Sequence, residues 1–213
     1  LYGGGLTDKP MASDTRPSPI LIIGSPRSGT TWLGQIYNSH PDTLYRHEPD
    51  IAQPTTDIPF IVNPPYSPEM VRTAGDYLET MINCRLLRAV GGRVNFTKSY
   101  RNPMGSFSRL ATLRFAQFAE KISRADLGRK FAIPDYVDQT RQLECTVMKS
   151  VYADGRACLF SKAHPDLHII HIVRHPCGQM ASLFQGAELK LMPSATKPST
   201  HDLAPTAQAK ALG

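Results

Sequence analysis

No apolar run in this 213-residue sequence approaches the roughly 20 residues that a membrane-spanning helix needs. The longest near the start, Ile20–Ile23, instead has the length and β-branching of a buried strand. A charged-then-apolar leader is missing from the first residues as well, and the chain opens on Leu1 rather than Met, as a fragment of a longer protein would. The four cysteines, Cys84, Cys145, Cys158 and Cys177, contain no C-x-x-C pair and no metal-ligand spacing. That argues against a zinc module or a redox dithiol and leaves single buried thiols as the expectation, with disulfides open for a secreted protein. Proline (18) and glycine (15) follow no repeat, which excludes a collagen-like or low-complexity chain. Long runs of like charge are absent too. The net charge of +6 is spread along the chain and fits an anionic ligand, a nucleic acid or no special partner. Nucleic-acid binding calls for a basic stripe interleaved with aromatics, whereas the aromatics here fall mostly at core-like positions, so no nucleic-acid partner is expected.

What the sequence does contain is an alternation of strand and helix signals. Residues 1–19 are rich in Gly, Ser, Thr and Pro and read as a flexible tail. A domain over 20–191 follows, then a second tail over 192–213, where Pro, Ala, Thr and Ser dominate. Strands are expected at Pro19–Gly24, Thr43–His47, Leu143–Lys149 and His168–Arg174. Helices are expected at Thr30–His40, with Trp32, Leu33, Ile36 and Tyr37 on one face, then from Ser67-Pro68-Glu69 onward, from Ser106 to Ser123, from Asp154 to Ala163, and from Pro176 to a stop at Gly186. Between Pro49 and Pro68 six prolines interrupt any period, as in a functional or disordered loop. The fold class is therefore α/β, with a central, mostly parallel sheet covered on both faces and ligands at the carboxyl ends of its strands.

Two strand-to-helix junctions carry the chemistry. At the first, Ser25-Pro26-Arg27-Ser28-Gly29-Thr30-Thr31-Trp32 follows Gly24, in the G-x-x-x-x-G frame of a phosphate loop. Such a loop points backbone N–H groups at one anion, and the helix N-terminus adds its positive end. The lysine of nucleoside-triphosphate loops is missing after Gly29, where Thr30 stands, and Arg27 supplies the cation instead. At the second junction, Arg174 ends a strand and Ser182 lies eight positions on, along the next helix. A charged fork and a neutral hydroxyl can converge there on one phosphate.

The wording P-R-S-G-T-T-W-L strongly resembles the 5'-phosphosulfate loop of the sulfotransferases that use 3'-phosphoadenosine 5'-phosphosulfate (PAPS). Their 3'-phosphate is held by an Arg and a Ser at the same separation as Arg174 and Ser182. The resemblance covers residues 20 to about 187 and implies a P-loop-like three-layer domain. It also implies PAPS as donor, no metal, and sulfuryl transfer to an acceptor hydroxyl or amine. The segment from Gly34 to Glu48-Pro49 is similar to the carbohydrate 6-O-sulfotransferases and their bacterial relatives, so the acceptor is expected to be a glycan or other small molecule. The compartment implied is the Golgi lumen for a eukaryotic chain of that branch and the cytoplasm for a prokaryotic one. Little chain follows Gly186, where the family normally continues, so a fragment, a short form and a non-catalytic PAP-binding remnant all stay open.

The expected catalytic residues are Arg27, Glu48 and Lys149. The histidine that follows a K-T pair in the steroid and phenol enzymes is missing here, where Val151 and Tyr152 follow Lys149-Ser150. Glu48 is then the candidate base, with a structural role ordering Arg27 or Arg46 as its alternative. His47, its neighbour, should point to the opposite face of the strand. Lys149 is either a stabiliser of transition-state charge or a solvated rim residue. His168 and His171 fall in a buried-strand pattern and read as core residues. A basic loop holding Arg93, Lys98 and Arg101 suits an acidic glycan or plain solvent. The main competing class is a P-loop kinase, which needs the missing lysine and Mg²⁺-binding carboxylates.

Overall fold

The structure, a computed structural model, describes residues 18–91, 95–123, 127–138, 140–141 and 143–188. Both expected tails fall almost wholly outside those residues, and so does Arg93. In chain order the elements are β1 (Pro19–Ile23), α1 (Thr30–Ser39), β2 (Thr43–His47), α2 (Pro49–Ala52), α3 (Pro68–Ile82), α4 (Leu87–Val90), α5 (Pro103–Ser123), β3 (Cys145–Lys149), α6 (Ala157–Ala163), β4 (His168–His171) and α7 (Pro176–Glu188). The four strands form one sheet in the order β2-β3-β1-β4, and every pairing is parallel. α1 lies on one face, over Ile22, Tyr45 and Val147. α3 and α6 lie on the other, over Leu21, Ile23 and Met148. This is the three-layer α/β arrangement expected from the alternation of signals.

Local rules explain most boundaries. Ser67 caps α3 by accepting the Met70 N–H at 3.1 Å, and Pro68 opens the first turn. Gly34 is needed in α1 because an added Cβ would lie 2.5 Å from the Tyr45 hydroxyl, so helix and sheet approach closely there. The proline-rich segment is tied to the core by buried Arg156, whose Nε donates to the Pro59 carbonyl at 2.9 Å while its guanidinium covers the Phe60 ring.

Several expectations fail, each for a physical reason. α1 buries Thr30, Gly34 and Asn38, while Trp32 and Ile36 stay exposed, because the close packing on Tyr45 selects the small face. β4 is an edge strand, so His168 and His171 are exposed rather than core residues. α7 runs through Gly186 instead of stopping there. α5 faces inward through Arg109, Leu113 and Ala116, and leaves Phe107, Phe115 and Phe118 outside, so the aromatics are not mostly core. The four thiols are free, as expected, but Cys158 and Cys177 are exposed rather than buried. Lys98 and Arg101, expected on a solvated loop, are 5% and 7% exposed.

That last departure belongs to a buried basic cluster at the outer edge of β2. Arg46, 1% exposed, donates two bonds to Asp135, at 2.9 and 2.7 Å. Arg85 and Arg109 reach the same carboxylate at 3.2 and 3.8 Å. Lys98 Nζ donates to the carbonyls of Asn38, His40 and Thr43. Burial, then the nearby Arg101 charge, pulls the Lys98 ammonium down to about 8 and the Arg109 guanidinium down to about 10. Burial alone would raise Asp135, but the Arg46 charge and hydrogen bonds, with Arg109 and Arg85, hold it below its ordinary value. Its ionised form therefore contributes stability that is complete above the ordinary carboxylate range and is lost as pH falls through the depressed value. Asp135→Asn should cost roughly 3–5 kcal/mol at pH 7, as for any buried pair deprived of one partner. In urea unfolding the gap to wild type should narrow as the pH becomes strongly acidic. A gap that is small at pH 7, or constant with pH, would contradict this role.

Candidate functional site

The carboxyl ends of the strands are held level by three backbone bonds: Glu48 N–H to Lys149 O, Ser150 N–H to Ile22 O, and Ile172 N–H to Ile23 O. β1 leads by α1 toward β2, while the neighbouring β3 leads by α6 toward β4. The two connections leave in opposite directions, which opens a crevice above β1 and β3, the preferred ligand position in such sheets.

The loop after β1 fills that position. Gly24 (φ 152) and Gly29 (φ 110) take backbone angles that favour glycine, and a Cβ on Gly24 would lie 2.5 Å from the Ile172 carbonyl. Ser28 N–H bonds to the Ser25 carbonyl at 3.1 Å and tightens the turn. Ser28 and Thr30 are buried, Ser25 and Thr31 half-buried, and Pro26, Arg27 and Trp32 exposed. The Ser28 hydroxyl is buried without a hydrogen-bond partner. Arg27 itself has a positive φ of 70, rare for a residue with a side chain.

The two junctions meet in space. Arg27 Nε donates to Ser182 Oγ at 3.0 Å across 155 residues of chain. Arg174 Nη1 donates to the Arg27 carbonyl at 3.1 Å, and Gln179 Nε2 donates to the Pro26 carbonyl at 2.9 Å. Gln179 was missed by sequence reasoning, although it lies three residues before Ser182 and so on the same helix face. An orphaned serine hydroxyl, two exposed arginines and a helix N-terminus make a donor set that fits a phosphorylated anion.

The expected catalytic carboxylate and lysine contact each other directly: Lys149 Nζ donates to Glu48 Oε1. Arg46 is held by Asp135. Lys149 is 2% exposed, so it is no solvated rim charge. Contrary to strict alternation, His47 Nε2 lies 3.8 Å from Glu48 Oε2. Glu48 has left the strand with a φ of 49, which turns its side chain back toward His47 and Lys149. His47 Nδ1 and the Tyr45 hydroxyl share a bond of 3.1 Å on the same sheet face. Asp50, also missed, is 7% exposed and accepts from the Ser150 hydroxyl. Burial, reinforced by the Glu48 charge, raises its carboxyl above the ordinary value against that hydrogen bond. No sequence spacing marks a metal site, but His40, Asp42 and Glu144 each bring a ligand atom within 4.8 Å of the others, at the amino ends of β2 and β3, away from the loops.

Glu48→Gln should leave the Lys149 ammonium buried with a weaker partner, at a cost of up to about 3 kcal/mol. Thermal unfolding should show most of that loss recovered in Glu48→Gln/Lys149→Met, where no charge remains to pair. Glu48→Gln with wild-type stability would show that the pair holds nothing together.

Comparison with known proteins agrees with this geometry. A sulfotransferase family model matches residues 19–209. Carbohydrate sulfotransferase 1 of Danio rerio is 33% identical over 195 residues, covering 80% of this chain and 44% of that protein. The chain thus spans less than half the length of that relative. No solved structure matches it significantly. With a family match over most of its length, and with the two expected strand-to-helix junctions joined by hydrogen bonds, the chain belongs to the sulfotransferase family.

Proposed function

We propose that the chain transfers a sulfuryl group from PAPS to a hydroxyl or amine of an acceptor, with a carbohydrate favoured. The observation that carries this reading is the convergence of the loop after β1 with Arg174 and Ser182, linked through Arg27 Nε to Ser182 Oγ at 3.0 Å. The family match and the relative's name, a carbohydrate sulfotransferase, support the reaction class and the acceptor. A kinase reading is not favoured, since Thr30 stands where the phosphate-loop lysine belongs.

PAPS, when bound, supplies the sulfuryl group and departs as PAP. Ser25 to Trp32 would hold its 5' end, with Ser28 offering the buried hydroxyl and Arg27 the charge. Arg174 and Ser182 would hold its 3'-phosphate. Charge grows on the oxygen between phosphorus and sulfur during transfer, so Arg27 and Lys149 would act most strongly in the transition state. Glu48 would accept the acceptor's proton as the new O–S or N–S bond forms. Lys149, paired with Glu48, fixes that carboxylate at the strand end.

Mass spectrometry of products from PAPS with a mixed panel of sugars, lipids and phenols tests the reaction, and a sulfated glycan is expected. Arg27→Ala should reduce kcat more than it weakens PAP binding, because its contact strengthens as the leaving oxygen charges. Glu48→Gln should lower kcat about 100-fold or more, the scale of general acid–base catalysis, with PAP binding near normal. No sulfated product from any acceptor would remove the reaction, whereas full activity in Glu48→Gln would remove only the base.

A further inference from the structure

The basic cluster beside β2 encloses a cavity of about 30 Å³ that the transfer site does not use. Lys98, Arg101 and Arg109 line it, each more than nine-tenths buried, and Leu44 and Leu113 form part of its apolar wall. Four elements meet there: α1 through Asn38, β2 through Leu44, α4 through Ala89, and α5 through Arg109.

Countercharge is scarce. Among the described residues, Asp135 is the carboxylate in contact with the cluster's arginines, and it is engaged by Arg46, Arg85 and Arg109 together. Arg101 Nε bonds to the Asp135 backbone carbonyl instead, at 2.8 Å. Arg109 Nη1 donates to the Pro134 carbonyl at 3.1 Å, while its Nε is buried with no hydrogen-bond partner. A guanidinium N–H without a partner in an apolar wall is costly, and excess positive charge around it makes it more so. Nothing in a neutral wall offsets that excess.

At about 30 Å³ the cavity has room for a water or a monatomic anion, since roughly 10–15 Å³ suffices for one water. A water molecule would satisfy the Arg109 Nε but leave the charge excess, and a halide answers both. We propose that this cavity is a small-anion site, in which chloride accepts from Arg109 Nε and is held by the charges of Lys98 and Arg101. The anion then supplies the second negative charge that the cluster lacks and locks α5 and the segment before it against the edge of β2. This site stands apart from the phosphate loops, and its test does not depend on the transfer reaction.

Thermal unfolding of the whole chain, with chloride replaced stepwise by gluconate at constant ionic strength, reads the site directly. Ligand binding to the folded state should raise Tm with chloride in a saturable way, with bromide replacing chloride. Arg109→Met, which removes the donor and one excess charge, should lose that dependence. Equal Tm in chloride and gluconate would mean the cavity holds water alone and would overturn the proposal. A chloride dependence shared equally by wild type and Arg109→Met would overturn it as well, since the effect would then arise elsewhere. Should the variant fail to fold, anomalous scattering from a bromide-soaked wild-type crystal decides. A peak within hydrogen-bond distance of Arg109 Nε supports the site, and its absence there refutes it.

Discussion

A guanidinium with 1% exposure sits in the middle of β2, and the segment between α3 and β3 is organised around it. A lone buried charge would be intolerable, so Arg46 requires a carboxylate with both oxygens aligned, and Asp135 provides it from 89 residues further on. That single requirement fixes the loop around Pro134 against the sheet edge and brings Arg101 and Arg109 in behind it. Backbone pairing sets β2 on β3 in the register where His47 lies opposite Lys149. The strand then ends at Glu48, whose left-handed backbone returns the carboxylate to Lys149. The proposed base thus lies two residues beyond the buried arginine, at the end of the same strand.

The fold was legible to the extent that local rules decide it. β-branched runs, the Ser67-Pro68 cap and the glycines of the loop after β1 are local signals, and the elements they predict appeared close to their expected bounds. The short α2, inside the segment expected to be irregular, and α4 carried no such signal. The two strand-to-helix junctions stood out for a different reason: both motifs are short and contiguous, and their proposed nucleotide role comes from the family resemblance. Relations between distant segments were not legible. Nothing local reveals that Lys98 donates to three carbonyls across the end of α1, that Asp135 pairs with Arg46, or that Glu48 meets Lys149. The exposed histidines of β4 failed for the same reason, since alternation within a strand does not say whether a further layer covers it. Only His47 was misplaced by a local effect, the positive φ of the residue that follows it.

These observations give the sheet two functional ends. At the carboxyl end, the loop after β1 and the segment of Arg174 and α7 are joined by the bonds of Arg27, Arg174 and Gln179. Beside it, Tyr45, His47, Glu48 and Lys149 form a connected line of titratable groups along β2 and β3. At the outer edge of β2, the arginine cluster provides rigidity rather than chemistry. Preorganised charge at the strand ends is what transfer of an anionic group requires, because the developing charge then meets donors that need not reorganise.

The central claim is that one ligand spans both junctions, and titration calorimetry with PAP and 5'-AMP addresses it most directly. Only PAP carries the 3'-phosphate that Arg174 and Ser182 would hold, and one charge-assisted hydrogen bond contributes about 1.5–3 kcal/mol. PAP should therefore bind at least about tenfold more tightly than 5'-AMP, and Arg174→Ala should weaken PAP more than it weakens 5'-AMP. Equal affinities of the wild-type chain for the two nucleotides would contradict the account, leaving Arg174 and Ser182 as structural partners of the loop and nothing more.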